Sequence, residues 1–134
     1  MDPILIVDDD ESIRMLLSQF LKGNGYTCEE VENGARALEW VLTHEVELVI
    51  TDNDMPVMSG IEFLKSLRLP SSSHTHPPPV IFMTGNWSET LYNEARQAGA
   101  KAVILKPYDT KELLMAVRTA LDNKVKIQKH YASI

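Results

Sequence analysis

The sequence predicts an α/β domain, a mostly parallel sheet with helices on both faces. Three observations carry this. The runs Ile4-Leu5-Ile6-Val7, Leu48-Val49-Ile50, Val80-Ile81-Phe82-Met83 and Ala102-Val103-Ile104-Leu105 are short, continuous and apolar, as strands buried on both faces require. Between them, apolar residues recur at helical spacing. The two kinds of segment alternate along the chain, the pattern of strands joined by helical crossovers.

The bulk numbers bound the rest. A chain of 134 residues with 44% hydrophobic and 24% charged content suits one globular domain with a single good core. A net charge of −6 and a pI of about 5.1 argue against nonspecific nucleic-acid binding, which needs clustered Lys and Arg. They suit partners that are proteins or cations. One cysteine, Cys28, allows no internal disulfide, and a reducing compartment is expected. No apolar run approaches the ~18 residues of a membrane span, and the start has no signal-peptide pattern. The expected location is cytoplasmic, away from membranes.

The first strand, Ile4-Leu5-Ile6-Val7, ends in Asp8-Asp9-Asp10-Glu11. Acids at a helix N-terminus answer the macrodipole, which accounts for Asp10 and Glu11. It does not account for Asp8 and Asp9, placed where strand becomes loop. Ile13, Leu16, Leu17, Phe20 and Leu21 form the stripe of the first helix, stopped by Gly23 and Gly25. The stretch 26–31 contains charges and reads as an edge strand. Asn33-Gly34 turns the chain, and Ala35, Leu38, Val41 and Leu42 mark the second helix. The third strand runs into Thr51-Asp52, and a turn closes at Pro56. Its last side chain, Asp52, projects into the crevice at the carboxyl edge of the sheet, where ligands bind. A carboxylate fixed on a strand end suits a metal ligand or a nucleophile, although a lone Asp more often just opens a turn.

Met58-Ser59-Gly60 opens the third helix, with Ile61, Leu64 and Leu67 on one face. The segment 70–79, with its serines and three adjacent prolines, reads as a loop. His74 and His76 lack a neighbouring Cys or acid, so they mark a polar loop and not a metal site. The fourth strand ends in Thr84-Gly85. Ser88 caps a helix with Leu91, Ala95 and Ala98 inward, stopped at Gly99. The fifth strand is read as buried and ends in Lys106-Pro107. Asp109 and Glu112 form a capping box for the last helix, whose stripe is Leu113, Leu114, Val117 and Leu121.

In a parallel sheet the strand ends share one edge. That edge gathers Asp8 and Asp9, Asp52, Thr84 and Lys106. The carboxylates bring about three negative charges, which cannot all stay ionised unaided. Lys106 answers one. A divalent cation closes the gap, and an all-oxygen donor set selects Mg²⁺ or Mn²⁺. Lys106 and the Thr84 hydroxyl suit phosphoryl oxygens. The edge is therefore suited to a phosphoryl group on Asp52.

On the motifs Ile4-Leu5-Ile6-Val7-Asp8-Asp9, Thr51-Asp52 with Met55-Pro56 and Ser59-Gly60, Met83-Thr84-Gly85, and Leu105-Lys106-Pro107-Tyr108, the sequence resembles a receiver domain of a two-component response regulator. Each motif alone is weak; the ordered set is specific and spans residues 3 to about 122. The resemblance implies a flavodoxin-like doubly wound (βα)5 sandwich with strand order 2-1-3-4-5. It implies that Asp52 is the phosphoacceptor, supplied by a sensor histidine kinase or a histidine phosphotransfer protein. Asp8, Asp9 and Asp52, with a backbone carbonyl at Asp54, are implied metal ligands, Asp9 directly and Asp8 partly through water. Thr84 is the implied switch hydroxyl and Lys106 the phosphoryl-pairing lysine, with a cis peptide between Lys106 and Pro107. Asp54 and Asn86 occupy positions that tune phosphoryl lifetime. Val103 stands where many members carry a switching aromatic ring, so readout is expected through Gly85 and Trp87 onto the surface formed by the fourth helix, fifth strand and fifth helix.

Two rival readings are a haloacid-dehalogenase-like phosphatase, from Asp52-x-Asp54, and a receiver-like interaction module without phosphorylation. The first normally carries its motif on the first strand and leaves Asp8 and Asp9 without purpose; the intact site argues against the second. The expectation is a signalling domain and not an enzyme, beyond self-phosphotransfer and autodephosphorylation. Residues 1–122 are read as the receiver and 123–134 as a frayed basic tail or the start of a linker. The output is a downstream protein target or a fused output domain, with no direct nucleic-acid contact by this domain, which acts as a monomer or a phosphorylation-dependent dimer.

Overall fold

Strand and helix alternate from end to end: β1 (Ile4–Val7), α1 (Glu11–Gly23), β2 (Cys28–Val31), α2 (Gly34–Thr43), β3 (Leu48–Asp52), α3 (Gly60–Leu67), β4 (Val80–Thr84), α4 (Glu89–Gln97), β5 (Ala102–Leu105) and α5 (Thr110–Ala132). The structure is a computed structural model that describes residues 2–69 and 77–132, with side chains up to residue 122. His74 and His76, and the loop residues 70–76 around them, lie outside the described residues. All strand pairs are parallel, in the order β2-β1-β3-β4-β5. This is the flavodoxin-like doubly wound (βα)5 sandwich expected from the sequence.

The period-two alternation of strand side chains splits the core. Leu5, Val7, Val49, Val80 and Phe82 pack against Ala37 and Val41 of α2, Phe63 and Leu64 of α3 and Ala95 of α4. Ile4, Ile6, Leu48, Ile50, Ile81, Met83 and Ile104 pack against Leu17 and Leu21 of α1 and Leu113 and Val117 of α5. Burial on both faces is why the central strands carry unbroken apolar runs.

Several expectations need correction. β5 lies at the sheet edge, as the expected strand order has it, and is not fully buried: Leu105 is 47% exposed, with no strand beyond it among the described residues. β2 begins at Cys28, shorter than the stretch 26–31. Leu16 and Leu42 are exposed, since the buried arcs of their helices run through Leu17 and Leu21 and through Ala37 and Val41. Asn33-Gly34 does not merely turn the chain: Asn33 Oδ1 accepts the Arg36 N–H at 2.9 Å and caps α2. Asp109 Oδ1 accepts from Lys111 N at 2.8 Å, so its cap falls one residue earlier than a capping box places it. α5 continues to Ala132, beyond the boundary at 122 drawn for the receiver. The cap of α3 is a full capping box, Ser59 with Glu62, which the sequence reading did not single out.

The β3–α3 loop contains a strained residue. Val57 has φ 70°, and Met58 N donates to Pro56 O at 2.8 Å, closing a three-residue turn around it. A β-branched residue is a poor fit there, costing about 1–2 kcal/mol. Val57 is 82% exposed, so its side chain offsets little of that by packing. Val57→Gly is expected to stabilise the fold by about 0.5–1 kcal/mol, after subtracting the extra freedom glycine has in the unfolded chain. Thermal unfolding should show a rise of about 2–3 °C; a fall would mean that Val57 is not strained.

Candidate functional site

Register lines up the strand ends. Val7 is paired with Thr51, Asp52 with Met83 and Thr84 with Leu105. Alternation then sorts the side chains. Asp8 follows Ile4 and Ile6, Asp52 follows Leu48 and Ile50, and Lys106 follows Ile104, all members of the α1/α5 side of the core. Thr84 follows Val80 and Phe82 of the opposite side. The two acids and the lysine converge, and the hydroxyl stands across from them.

The convergence is close. Lys106 Nζ lies 3.0 Å from Asp52 Oδ1 and 3.4 Å from Asp8 Oδ2. Asp8 is 1% exposed and Asp52 5%. Asp9 stays exposed, yet carboxylate oxygens of Asp8, Asp9 and Asp52 all lie within 4.8 Å of one another. Two of these carboxylates thus hold the Lys106 ammonium, and the third lies beside them. Burial pushes the Asp52 carboxyl above the usual carboxylate range, and the charges of Asp8 and Asp54 add to this, while the Lys106 hydrogen bond and charge only partly oppose it. Burial pulls the Lys106 ammonium down, but the hydrogen bond and charge of Asp52, with Asp8, outweigh it and leave its pKa raised. Lys106 is therefore a committed cation.

Neighbouring backbone fixes these groups. Asp8 Oδ1 accepts the Asp10 N–H at 2.9 Å, while the Asp10 carboxylate caps α1 through Ser12 N. Asn53 N donates to Met83 O at 3.1 Å and ties the end of β3 to β4. Asn53 O accepts from both Met55 N and Gly60 N, each at 3.1 Å. Within the Asn53–Asp54 segment, no hydrogen bond among the described residues engages the Asp54 carbonyl. The resulting donor set is all oxygen and carries more negative charge than Lys106 neutralises, which fits a hard divalent cation.

Across the crevice, Thr84 Oγ1 accepts from Asn86 N at 3.1 Å and donates to Asn86 O at 3.4 Å. The hydroxyl is buried but spends its bonds on its own loop. Thr84 O accepts from Lys106 N at 2.8 Å, so the Thr84 and Lys106 backbones are joined. The Lys106–Pro107 peptide is cis. Gly85, Asn86 and Trp87 are exposed, and Val103 is half-buried against the Phe82 side of the core.

Sequence reasoning overlooked Arg14 and Gly60. Arg14 Nη1 donates to Asp8 O at 2.7 Å. It lies off the apolar stripe of α1 and has no neighbouring motif, so the only available signal was its place one turn beyond the acidic strand end. Gly60 packs directly on the Asp52 backbone; Ser59-Gly60 was read as a helix start, and a contact with β3 is not visible in a linear pattern.

Residues 4–118 match the family model described as response regulator receiver domain. Chemotaxis protein CheY of Bacillus subtilis (strain 168) is 35% identical over 120 residues, covering 89% of this chain and 97% of that protein. The DNA-binding transcriptional regulator NtrC of Escherichia coli (strain K12) is 36% identical over 121 residues; the match covers 90% of this chain and only 25% of NtrC, so the chain spans about a quarter of that relative's length. Among solved structures, a CheY-like response regulator receiver domain protein from Methanospirillum hungatei JF-1 aligns with a TM-score of 0.83 at 31% identity, covering 94% of this chain and 98% of that one. Among the described residues, no helix is long and apolar enough to cross a membrane.

Proposed function

The chain belongs to the response regulator receiver domain family of two-component systems, and on that premise we propose that Asp52 accepts a phosphoryl group from a sensor histidine kinase or a histidine phosphotransfer protein. The observation that carries this reading is Lys106 Nζ, 3.0 Å from Asp52 Oδ1 and 3.4 Å from Asp8 Oδ2, beside three carboxylates within 4.8 Å of one another. Lys106 holds Oδ1 and presents Oδ2 for attack. An O–P bond forms as the donor's N–P bond breaks, and that bond's electron pair leaves with the imidazole. Desolvation makes the carboxylate a stronger base and a better nucleophile, while Lys106 keeps it oriented.

Asp8, Asp9 and Asp52, with the Asp54 carbonyl, would hold Mg²⁺ or Mn²⁺. When bound, the cation supplies positive charge to the phosphoryl oxygens and relieves repulsion among the acids. Lys106 Nζ then pairs with a phosphoryl oxygen in place of Asp52. The Thr84 hydroxyl exchanges its bonds to Asn86 for a stronger, charge-assisted one to the phosphoryl group, which releases the loop carrying Gly85, Asn86 and Trp87. Output passes to the α4–β5–α5 face, where exposed Trp87, Tyr92, Leu105 and Met115 offer contact surface. Half-buried Val103 lacks the length to swing from solvent to core as an aromatic ring would. The Asp54 and Asn86 side chains flank the phosphoryl position and set its lifetime.

Residues 1–122 form the receiver, and 123–134 serve as a C-terminal tail or the start of a linker. The output is a protein target or a fused output domain, through a monomer or a phosphorylation-dependent dimer, with no direct nucleic-acid contact by this domain. It acts as a signalling module in the cytoplasm, limited to self-phosphotransfer and autodephosphorylation. A haloacid-dehalogenase-like phosphatase reading assigns nothing to Asp8, buried against Lys106.

Melting experiments test the proposal. Mg²⁺ at about ten times its Kd is expected to stabilise the protein by about 1.4 kcal/mol, or about 4 °C for a domain of this size. A phosphoryl mimic such as beryllofluoride should add a further rise only when Mg²⁺ is present. In Trp40→Phe, Trp87 fluorescence should report the same addition. Asp9→Ala should remove both shifts. A mimic-dependent rise in the absence of Mg²⁺, or one that survives in Asp9→Ala, would contradict the site.

A further inference from the structure

We infer that Arg14 is a positioning residue for the cation site, acting through the Asp8 main chain; this rests on the metal reading above. Arg14 sits one turn into α1, with its own N–H donating to Asp10 O at 3.1 Å. Its guanidinium reaches back to the strand end, where Nη1 donates to Asp8 O at 2.7 Å and Nε lies 3.5 Å from Glu30 Oε1 on β2. The side chain is only 16% exposed. A single planar fork thus joins α1, the exit of β1 and the edge strand.

The point of contact is what matters. Asp8 O belongs to the peptide that links Asp8 to Asp9, so the Arg14 bond sets the plane of that peptide. Both carboxylates hang from its two ends. Asp8 is otherwise held by its N–H to Val31 O at 3.3 Å, by Asp10 N on Oδ1 and by Lys106 Nζ on Oδ2 at 3.4 Å. Its oxygens cluster with those of Asp9 and Asp52 without any bond from Arg14 to a carboxylate of that cluster among the described contacts. Arg14 therefore orients two ligands through a carbonyl and leaves their oxygens available. A guanidinium suits this task because its rigid fork serves two acceptors at fixed angles.

The inference makes a prediction opposite in sign to plain electrostatics. Deleting a positive charge beside a cation site should, by Coulomb attraction alone, tighten Mg²⁺ binding. Loss of a positioning partner should weaken it, by about tenfold or more on the scale of outer-shell partners of metal ligands. The experiment is a Mg²⁺ titration by calorimetry and by amide shifts of residues 8–10, with metal-free melting measured alongside. Arg14→Ala should bind Mg²⁺ about tenfold more weakly. Arg14→Lys keeps the charge but serves one acceptor at a time, so its loss should be smaller. Glu30→Gln removes the ion pair, leaves the Asp8 contact, and should bind as wild type does. Unchanged or tighter binding in Arg14→Ala overturns the inference, as does an equal loss in Glu30→Gln, which would make Arg14 a structural tie only. Should Arg14→Ala not fold, Arg14→Lys with wild-type affinity overturns it equally. Wild type that binds no Mg²⁺ overturns the metal reading itself, and this inference with it.

Discussion

Incubated with a small acyl phosphate and Mg²⁺, the protein is expected to gain acid-labile phosphate at Asp52, and Asp52→Asn is expected to gain none. The asparagine keeps the size of the side chain but replaces the attacking carboxylate oxygens with an amide that is a far weaker nucleophile. A chelator should bring wild type close to the same baseline, because the remaining cation, Lys106, cannot alone answer three carboxylates and an incoming phosphoryl group. The rate should fall as the pH drops through the Asp52 pKa, which burial holds above the ordinary carboxylate value of 3.8. Only the ionised form attacks, so the sign is fixed. Intact-mass measurement with and without mild acid decides the matter. Equal labelling of wild type, chelated wild type and Asp52→Asn would remove Asp52 from the phosphoacceptor role.

Gly60→Ala should be strongly destabilising. An added Cβ would stand 2.5 Å from Asp52 O, 2.9 Å from Phe82 Cε2 and 3.1 Å from Asn53 Cα. Asp52 O and Asn53 Cα are backbone of the β3 end and cannot rotate away, and Phe82 is fully buried. Relief requires α3 to move off the sheet, which also strains the Gly60 N–H bond to Asn53 O. Overpacking at such a site costs about 3 kcal/mol, or a fall of about 10 °C in Tm. Because the displaced atoms carry the phosphoacceptor, labelling of the folded fraction should fall as well. Gly85→Ala is the control: no atom lies within 4 Å of a Cβ there, and the change should stay within about 0.5 kcal/mol. Comparable melting of the two variants would show that α3 has slack against β3.

Much of this protein was determined by sequence alone, for reasons that are local. Strands buried on both faces need continuous apolar runs, and Ile4–Val7 and Val80–Thr84 show them. A helix start needs a side-chain oxygen, and Ser88 supplies one to α4. Parallel alternation then places Asp8, Asp9, Asp52, Thr84 and Lys106 at one edge before any coordinate is known, and the ordered motifs give the strand order through their family. Tertiary structure decided the rest. The apolar run of β5 is by itself compatible with a central or an edge strand, and the exposure of Leu105 emerges only in the assembled sheet. That Leu16 faces solvent while Leu17 is buried depends on the rotation of α1 against the sheet, which adjacent leucines cannot specify. Lys106 shared between Asp52 and Asp8, Thr84 turned toward Asn86, Arg14 reaching the Asp8 carbonyl and Gly60 pressed on Asp52 are contacts between atoms. Sequence sets which groups arrive at the crevice edge, because strand period and chain direction are properties of the backbone. Packing sets which of them touch, because hydrogen bonds and close approaches depend on fractions of an ångström that only the assembled core fixes.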